Sequence, residues 1–314
     1  MNILRITNNM LVRNMMGNLN KNKRRMDKLQ KQYQSGKLFQ LPSDNPIGVS
    51  KSLKLYTDKS KIEQYKTNLR DAIAWMNTTE DALTQIGEVM KRTFELTEKA
   101  ANGTYSEEDL QAISAEMKEL RNQVIQAANT THAGRHVFTG YKTDETLLDK
   151  DGNYVVDLEN TEISNYNVGV SENIAVNTIG IKVFGVGAAE NYDAANVNSG
   201  DKAYVVQLFD DIITALDSDP PDTDVIRGSM NKVEDILENS LAVRAEIGAK
   251  TNRLEMTQNR LESDDVNFTR LLSENEDADM AEVIMNFKMA ESVYLASMSA
   301  GSRIIQPSLV DFLR

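Results

Sequence analysis

Five residues set seven apart, Ile62, Leu69, Met76, Leu83 and Met90, constrain this chain more than anything else in it. Tyr65, Ala72, Thr79, Ile86 and Thr93 follow each of them by three. That alternation draws one narrow stripe along a helix, and the stripe needs another helix to cover it. Five heptads at 1.5 Å per residue make a rod of roughly 50 Å. The stretch 50–101 therefore predicts a long helix paired along its side.

The rest of the chain repeats the theme. A first helix over 3–35 carries Ile3, Ile6, Met10, Leu19, Met26, Leu29 and Tyr33 at helical spacings. It gives out at Ser35-Gly36, before the breaker-rich Leu41-Pro42-Ser43-Asp44-Asn45-Pro46-Ile47-Gly48. Beyond Asn102-Gly103, Ser106 and Asp109 form a capping box for a third helix with the stripe Ile113, Met117, Leu120, Val124 and Ala127. After His136 the helical period vanishes, and Gly, Asn and Asp crowd the chain up to Gly200. Asp149-Lys150-Asp151-Gly152-Asn153 is a turn, 154–156 a strand, and 163–170 and 174–184 alternate as two or three more. Helix returns over 202–217, and again over 224–272 with the seam Met230, Val233, Leu237, Ser240, Arg244, Ile247, Thr251, Leu254, Gln258, Leu261, Asp265, Phe268 and Leu272. A last helix over 278–314 keeps 3/4 spacing through Ile284, Phe287, Tyr294, Met298, Ser302, Ile305, Leu309 and Phe312.

The expected fold is mainly α with a β-rich insertion: long antiparallel helical rods, a coiled-coil bundle formed by both ends of the chain, with a small β domain in the middle. The divisions fall at 1–48 (assembly helix and loop), 49–135 (first half of the rod), 136–201 (β insertion), 202–274 (second half of the rod) and 275–314 (assembly helix). Both end helices are amphipathic, and neither has an obvious partner within a globule. That outline implies assembly.

Composition narrows the function. A net charge of −12 over 314 residues opposes general nucleic-acid binding. The charge is uneven, with 15 Lys/Arg against 4 Asp/Glu in residues 1–70, and 7 acidic against 3 basic residues from Leu271 onward. A basic start and an acidic end attract one another if they pack side by side. There is no cysteine, hence no disulfide and no thiolate metal site. Met1-Asn2-Ile3-Leu4-Arg5-Ile6 leads into a polar helix without the apolar core of a signal peptide, and no apolar run is long enough to span a membrane.

No spacing of reactive side chains makes a recognisable site. His132 and His136 are separated by Ala133-Gly134-Arg135, without the Glu of a zinc-protease helix. Asp149-Lys150-Asp151-Gly152 has its Gly at position four rather than six of a calcium loop, and Asn160 stands at position twelve where Glu is needed. Asp277 and Asp279 stand where a helix begins and suit its dipole. No catalytic residue, cofactor site or metal site is expected.

Several segments carry a resemblance. Asn8-Asn9-Met10, Gln34-Ser35-Gly36-Lys37 and Pro42-Ser43-Asp44-Asn45-Pro46, together with Glu276-Asp277-Ala278-Asp279-Met280-Ala281-Glu282, resemble the two ends of the flagellin-like axial proteins of the bacterial flagellum. Within that family, residues 134–143 (Gly134-Arg135-His136-Val137-Phe138-Thr139-Gly140-Tyr141-Lys142-Thr143) and the ending Ser308-Leu309-Val310-Asp311-Phe312-Leu313-Arg314 are similar to the hook–filament junction branch. Asn45 departs from the usual Asp and keeps the loop polar. The resemblance implies a secreted, extracellular structural protein exported through the flagellar type III channel after holding by an export chaperone. It implies a ring of copies that sits on hook-associated protein 1 and offers a surface on which flagellin polymerises. The expected assembly interface is Ile3, Ile6, Met10 and Leu19 against Phe287, Tyr294, Met298, Ile305, Leu309 and Phe312. The alternatives are a flagellin filament subunit and, from another class, a cytosolic coiled-coil signalling adaptor.

Overall fold

The computed structural model describes residues 8–102, 107–187 and 191–305. Its helices are α1 (Asn8–Ser35), α2 (Pro46–Ala101), α3 (Glu107–Ala128), α4 (Gly180–Phe184), α5 (Tyr204–Asp217), α6 (Thr223–Glu276) and α7 (Met280–Ile305). The strands are short: β1 (Thr131–His132), β2 (Arg135–His136), β3 (Leu158–Glu159), β4 (Asn165–Gly169), β5 (Glu172–Ala175) and β6 (Asn196–Val197). The fold is mainly α, with three two-stranded antiparallel sheets between the helices. Two compact units are present, one made of 62–263 and the other of the residues up to 61 and from 264 onward. Among the described residues, no helix is long and apolar enough to cross a membrane.

In the unit 62–263 the heptads of α2 do what their spacing requires. Ile62, Leu69, Met76, Leu83 and Met90 are all buried, as are Ala72, Thr79, Ile86 and Thr93, with Tyr65 half-buried. The α6 helix runs antiparallel beside α2, as Thr251 lies 3.7 Å from the Met76 sulfur and Arg244 lies 3.9 Å from Glu80. Its buried stripe is Ile226, Ser229, Val233, Ile236, Ser240, Val243, Ile247, Leu254, Thr257 and Leu261. Every second position agrees with the expected seam, but Ser229, Ile236, Val243 and Thr257 take the places expected for Met230, Leu237, Arg244 and Gln258. Ile236 and Leu237 are both apolar and fit either register locally. The other register would bury what remains exposed of the Arg244 side chain, whose Nε is already enclosed, and that is costly without full pairing.

The α3 helix carries Glu107, Glu108 and Asp109 in its first turn, where the helix dipole favours them. Its buried face, Ile113, Met117, Leu120 and Val124, packs against α5. At its exit, Asn129 stands in for a missing strand. Its Oδ1 accepts from the Leu147 and Leu148 amides at 2.8 and 3.0 Å, and its Nδ2 donates to the Leu148 carbonyl at 2.8 Å.

The strand-rich region differs in detail from expectation. The 154–156 segment makes a single isolated bridge, Tyr154 with Leu148, and Asn153 just before it bridges to Lys202. The stretch 174–184 holds one strand end and then α4 rather than a further strand. Residues 179–184 are nearly all buried, on both alternating sides, so no solvent face existed to impose a strand period. Gly180 fits where a Cβ would sit 2.8 Å from a Leu147 methyl, and its amide donates to the Phe138 carbonyl at 2.8 Å. The core of this region runs on into α5. The Tyr154 hydroxyl donates to the Gly185 carbonyl at 2.7 Å, Phe138 meets Phe184 edge to face at 5.6 Å, and Val206 of α5 closes against Gly152. The β4–β5 hairpin is tied to the long helices. Asn68 donates to the Asn167 carbonyl at 2.7 Å, and Glu172 pairs with Arg253 at 3.1 Å and Arg260 at 2.7 Å.

Candidate assembly interface

The other unit joins the two ends of the chain. The α1 helix presents Val12, Met15, Leu19, Asn22, Met26 and Leu29, spaced 3-4-3-4-3, to α7. The α7 helix answers with Val283, Phe287, Ala290, Tyr294, Ser297 and Gly301. The helices are antiparallel. Met15 occupies the space above Gly301, Asn22 donates to the Ser297 hydroxyl at 3.1 Å, and Tyr33 stacks on Phe287 with ring centres 6.1 Å apart and planes 6° from parallel. Small residues on α7 let the backbones approach: a Cβ on Gly301 would fall 1.7 Å from the Met15 methyl.

The seam is incompletely covered. Among the described residues of α1, none is fully buried. Each apolar side chain therefore recovers only part of the roughly 1.5–3 kcal/mol that full burial contributes. Leu11, Met16, Ile284, Met285, Met289, Val293 and Leu295 are exposed around the pair. The basic side chains Lys21, Arg24 and Lys28 form no ion pair with α7 among the described residues.

Of the interface residues expected from sequence, Leu19, Phe287 and Tyr294 lie in the α1–α7 seam. Met10 and Met298 are 48% and 49% exposed and lie outside it. Ile3, Ile6, Leu309 and Phe312 fall outside the described residues, as does the side chain of Ile305. The seam also takes Val12, Met15, Met26, Leu29 and Val283, which are absent from the expected interface, and Asn22, Ala290, Ser297 and Gly301, which are polar or small. Their signal was spacing, since Ala290, Ser297 and Gly301 follow one another by seven and four.

A buried corner sets where α1 ends and α7 begins. Gly36, at φ 69°, ends α1 in the left-handed conformation that glycine adopts without strain. Leu38 donates to the Glu276 carbonyl at 2.6 Å, and Ala278 donates to the Gly36 carbonyl at 2.8 Å. The Glu276 side chain is buried and accepts from Lys37 Nζ at 2.6 Å and the Tyr56 hydroxyl at 2.9 Å. Burial alone would raise its pKa, but donation from Lys37, Ser52 and Tyr56 outweighs that and holds the carboxyl below its ordinary value. Lys37 is correspondingly raised, chiefly by its bond to Glu276. Asn275 donates to the Gly48 carbonyl at 2.9 Å and to the Ser52 hydroxyl at 2.7 Å. Asn45 caps α2, its Oδ1 accepting from the Gly48 amide at 3.0 Å with Pro46 at the first helical position. Asp279 caps α7 by accepting from the Ala281 and Glu282 amides at 2.9 and 3.3 Å.

The remaining polar candidates have structural partners. His132 shares a hydrogen bond with Thr78 at 2.9 Å and lies edge-on to Trp75, while His136 lies 3.0 Å from the Asn129 carbonyl. Asp149 closes its turn by accepting from the Asp151 and Asn153 amides at 2.9 and 2.8 Å. Among the described residues, no three His, Asp or Glu side chains gather to hold a metal ion.

Comparison with known proteins fits this arrangement. Residues 6–143 match the bacterial flagellin N-terminal helical region and 230–313 the bacterial flagellin C-terminal helical region. Flagellar hook-associated protein 3 of Escherichia coli is 27% identical, over 86% of this chain and 87% of that protein. Flagellin of Bacillus subtilis is 28% identical over 90% of each. The solved structure of a putative flagellar hook-associated protein from Vibrio parahaemolyticus shares the fold with a TM-score of 0.65 and 23% identity, over 74% of this chain and 100% of that one.

Proposed function

The chain belongs to the flagellin family and is a structural component of the bacterial flagellum; from that premise we propose that it is the ring-forming subunit of the hook–filament junction. The observation that carries the reading is the α1–α7 pair, whose seam is half-covered and whose outer sides are apolar. Neighbouring copies would supply the missing walls. The segments 1–48 and 275–314 would assemble, with Ile3, Ile6, Met10, Leu19, Phe287, Tyr294, Met298, Ile305, Leu309 and Phe312 at the interface. The rods 49–135 and 202–274 would carry the insertion 136–201 outward.

In this reading the subunit leaves the cell through the flagellar export channel after release from an export chaperone. It then docks on hook-associated protein 1 and offers its other side to flagellin. The similarity of residues 134–143 to the junction branch favours the junction over the filament. Gly134 and Gly140, at φ 81° and 61°, fold that segment back so that Val137, Phe138 and Thr139 are buried beside the end of α3. The similarity to a Bacillus subtilis flagellin over 90% of the chain keeps a filament subunit as the second reading.

A tagged copy imaged on isolated flagella separates them. Label confined to the hook tip is the expected result; label along the filament would replace the junction by the filament reading. Label retained in the cytosol would overturn both and favour an adaptor.

A further inference from the structure

Sulfur is distributed unevenly in this chain. It has 14 methionines and no cysteine, so thioethers are its soft targets for oxidation. In the unit 62–263, Met76, Met90 and Met117 are fully buried and Met230 is half-buried, with Met256 as the exposed exception. In the other unit no described methionine is buried. Met15 and Met26 are half-covered in the α1–α7 seam, while Met10, Met16, Met280, Met285, Met289 and Met298 are exposed. Met285 and Met289, 58% and 52% exposed, stand one helical turn apart on the side of α7 turned away from α1. Ile284, Val293 and Leu295 flank them. Methionine is unbranched and polarizable and adapts to differently shaped partners, so on this exposed apolar side of α7 it suits contact with a neighbour.

We propose that this surface is an oxidative modification site, at which a hydroperoxide converts Met285 and Met289 to sulfoxides and thereby bars the subunit from assembly. The Sδ lone pair takes one oxygen of hydrogen peroxide as the O–O bond breaks. The attacked oxygen passes its proton to the departing one, which leaves as water. The sulfur loses two electrons and the peroxide gains them. The product is polar and chiral where a neighbour requires an apolar contact, so entry to the assembly is lost until a sulfoxide reductase restores the thioether. The inference rests on the assembly reading above. The vulnerable species is the unassembled subunit, because neighbours cover these side chains once it is in place.

The test uses the purified full-length chain, hydrogen peroxide, and peptide mass spectrometry read over time. Met285 and Met289 should gain oxygen well before Met76, Met90 and Met117. The treated chain is then supplied to flagella lacking this subunit. Incorporation should fall at least about tenfold, the equivalent of one lost apolar contact. Treatment with both methionine sulfoxide reductases should restore it. A variant with Leu at Met10, Met16, Met285, Met289 and Met298, which conserves volume, should assemble and keep assembling after peroxide, and returning Met285 and Met289 alone should bring the sensitivity back. Oxidation of the buried methionines at the same rate, or oxidised wild type that incorporates like untreated, would overturn the inference alone. Untreated wild type that never joins flagella would overturn the junction reading, and the inference with it.

Discussion

Replacing Glu276 by Gln removes one negative charge at the corner between α6 and α7 and leaves the shape almost unchanged. Tyr56 still has an oxygen to donate to, whereas Lys37 loses a carboxylate held at 2.6 Å. A hydrogen bond to a charged group contributes about 1.5–3 kcal/mol and a neutral one about 0.5–1.5 kcal/mol. The Lys37 side chain is 40% exposed and can turn to water in the variant. Solvent screening therefore puts the loss at the lower end of the difference, about 1 kcal/mol. It should appear where the charge pair backs the chain, at the Leu38 amide bonded to Glu276 and the Ala278 amide bonded to Gly36. With 1.4 kcal/mol to a factor of ten, hydrogen exchange at those two amides should speed up roughly fivefold at neutral pH. Acid supplies the control. Because the Glu276 carboxyl is held below its ordinary 4.5, its contribution is complete above that value and is lost as pH falls through the folded pKa. The gap between wild type and Glu276→Gln should therefore close in acid. Equal exchange at neutral pH, or a gap that persists undiminished in strong acid, would refute the reasoning.

Gly152→Ala should destabilise the unit 62–263 by about 2–4 kcal/mol, read by thermal melting followed through Trp75, because φ is 84° and the new Cβ would lie 2.2 Å from a Val206 methyl. Asn45→Ala should cost about 1 kcal/mol by removing the α2 cap, whereas Asn45→Asp should fall within about 0.5 kcal/mol of wild type in the same denaturation series, since either side chain caps well. Glu172→Gln should cost under about 1 kcal/mol in urea denaturation, because Arg253 and Arg260 are more than half exposed. Its contribution should also vanish in acid, since hydrogen bonding from Arg260 foremost holds the Glu172 carboxyl below its ordinary value. Truncation after Ser299 removes the Gly301–Met15 contact and the end of α7, and should yield cells that release flagellin without polymerising it.

Where one force dominated, the sequence was readable. The α2 heptads Ile62 to Met90 name the buried stripe because a large apolar residue recurs at every seventh position, even where Trp75, Ala82 or Val89 stands beside it. The seam of α6 was half legible: Val233, Ser240, Ile247, Leu254 and Leu261 stand out, but the adjacent pair Ile236-Leu237 leaves the intermediate positions to tertiary context. The 179–184 segment misled for a related reason, because a run buried on all sides carries neither a helical nor a strand period. At the interface, aromatic Phe287 and Tyr294 announced themselves, while Gly301 and Ser297 act by being small enough for α1 to come close. Hydrophobicity has no vocabulary for that. The Glu276 corner also needed the fold, since Lys37 and Glu276 are 239 positions apart.

The Asn22–Ser297 contact has a temporal side. Its two residues are separated by 275 positions. At ordinary elongation rates of 5–20 residues per second, the ribosome takes roughly 15–55 s to add the second after the first. Throughout that interval α1 exists without the helix that covers it, however fast the unit 62–263 folds. The two helices can meet only after the stretch encoding α7 has been translated, so a message interrupted before it leaves an α1 that cannot close.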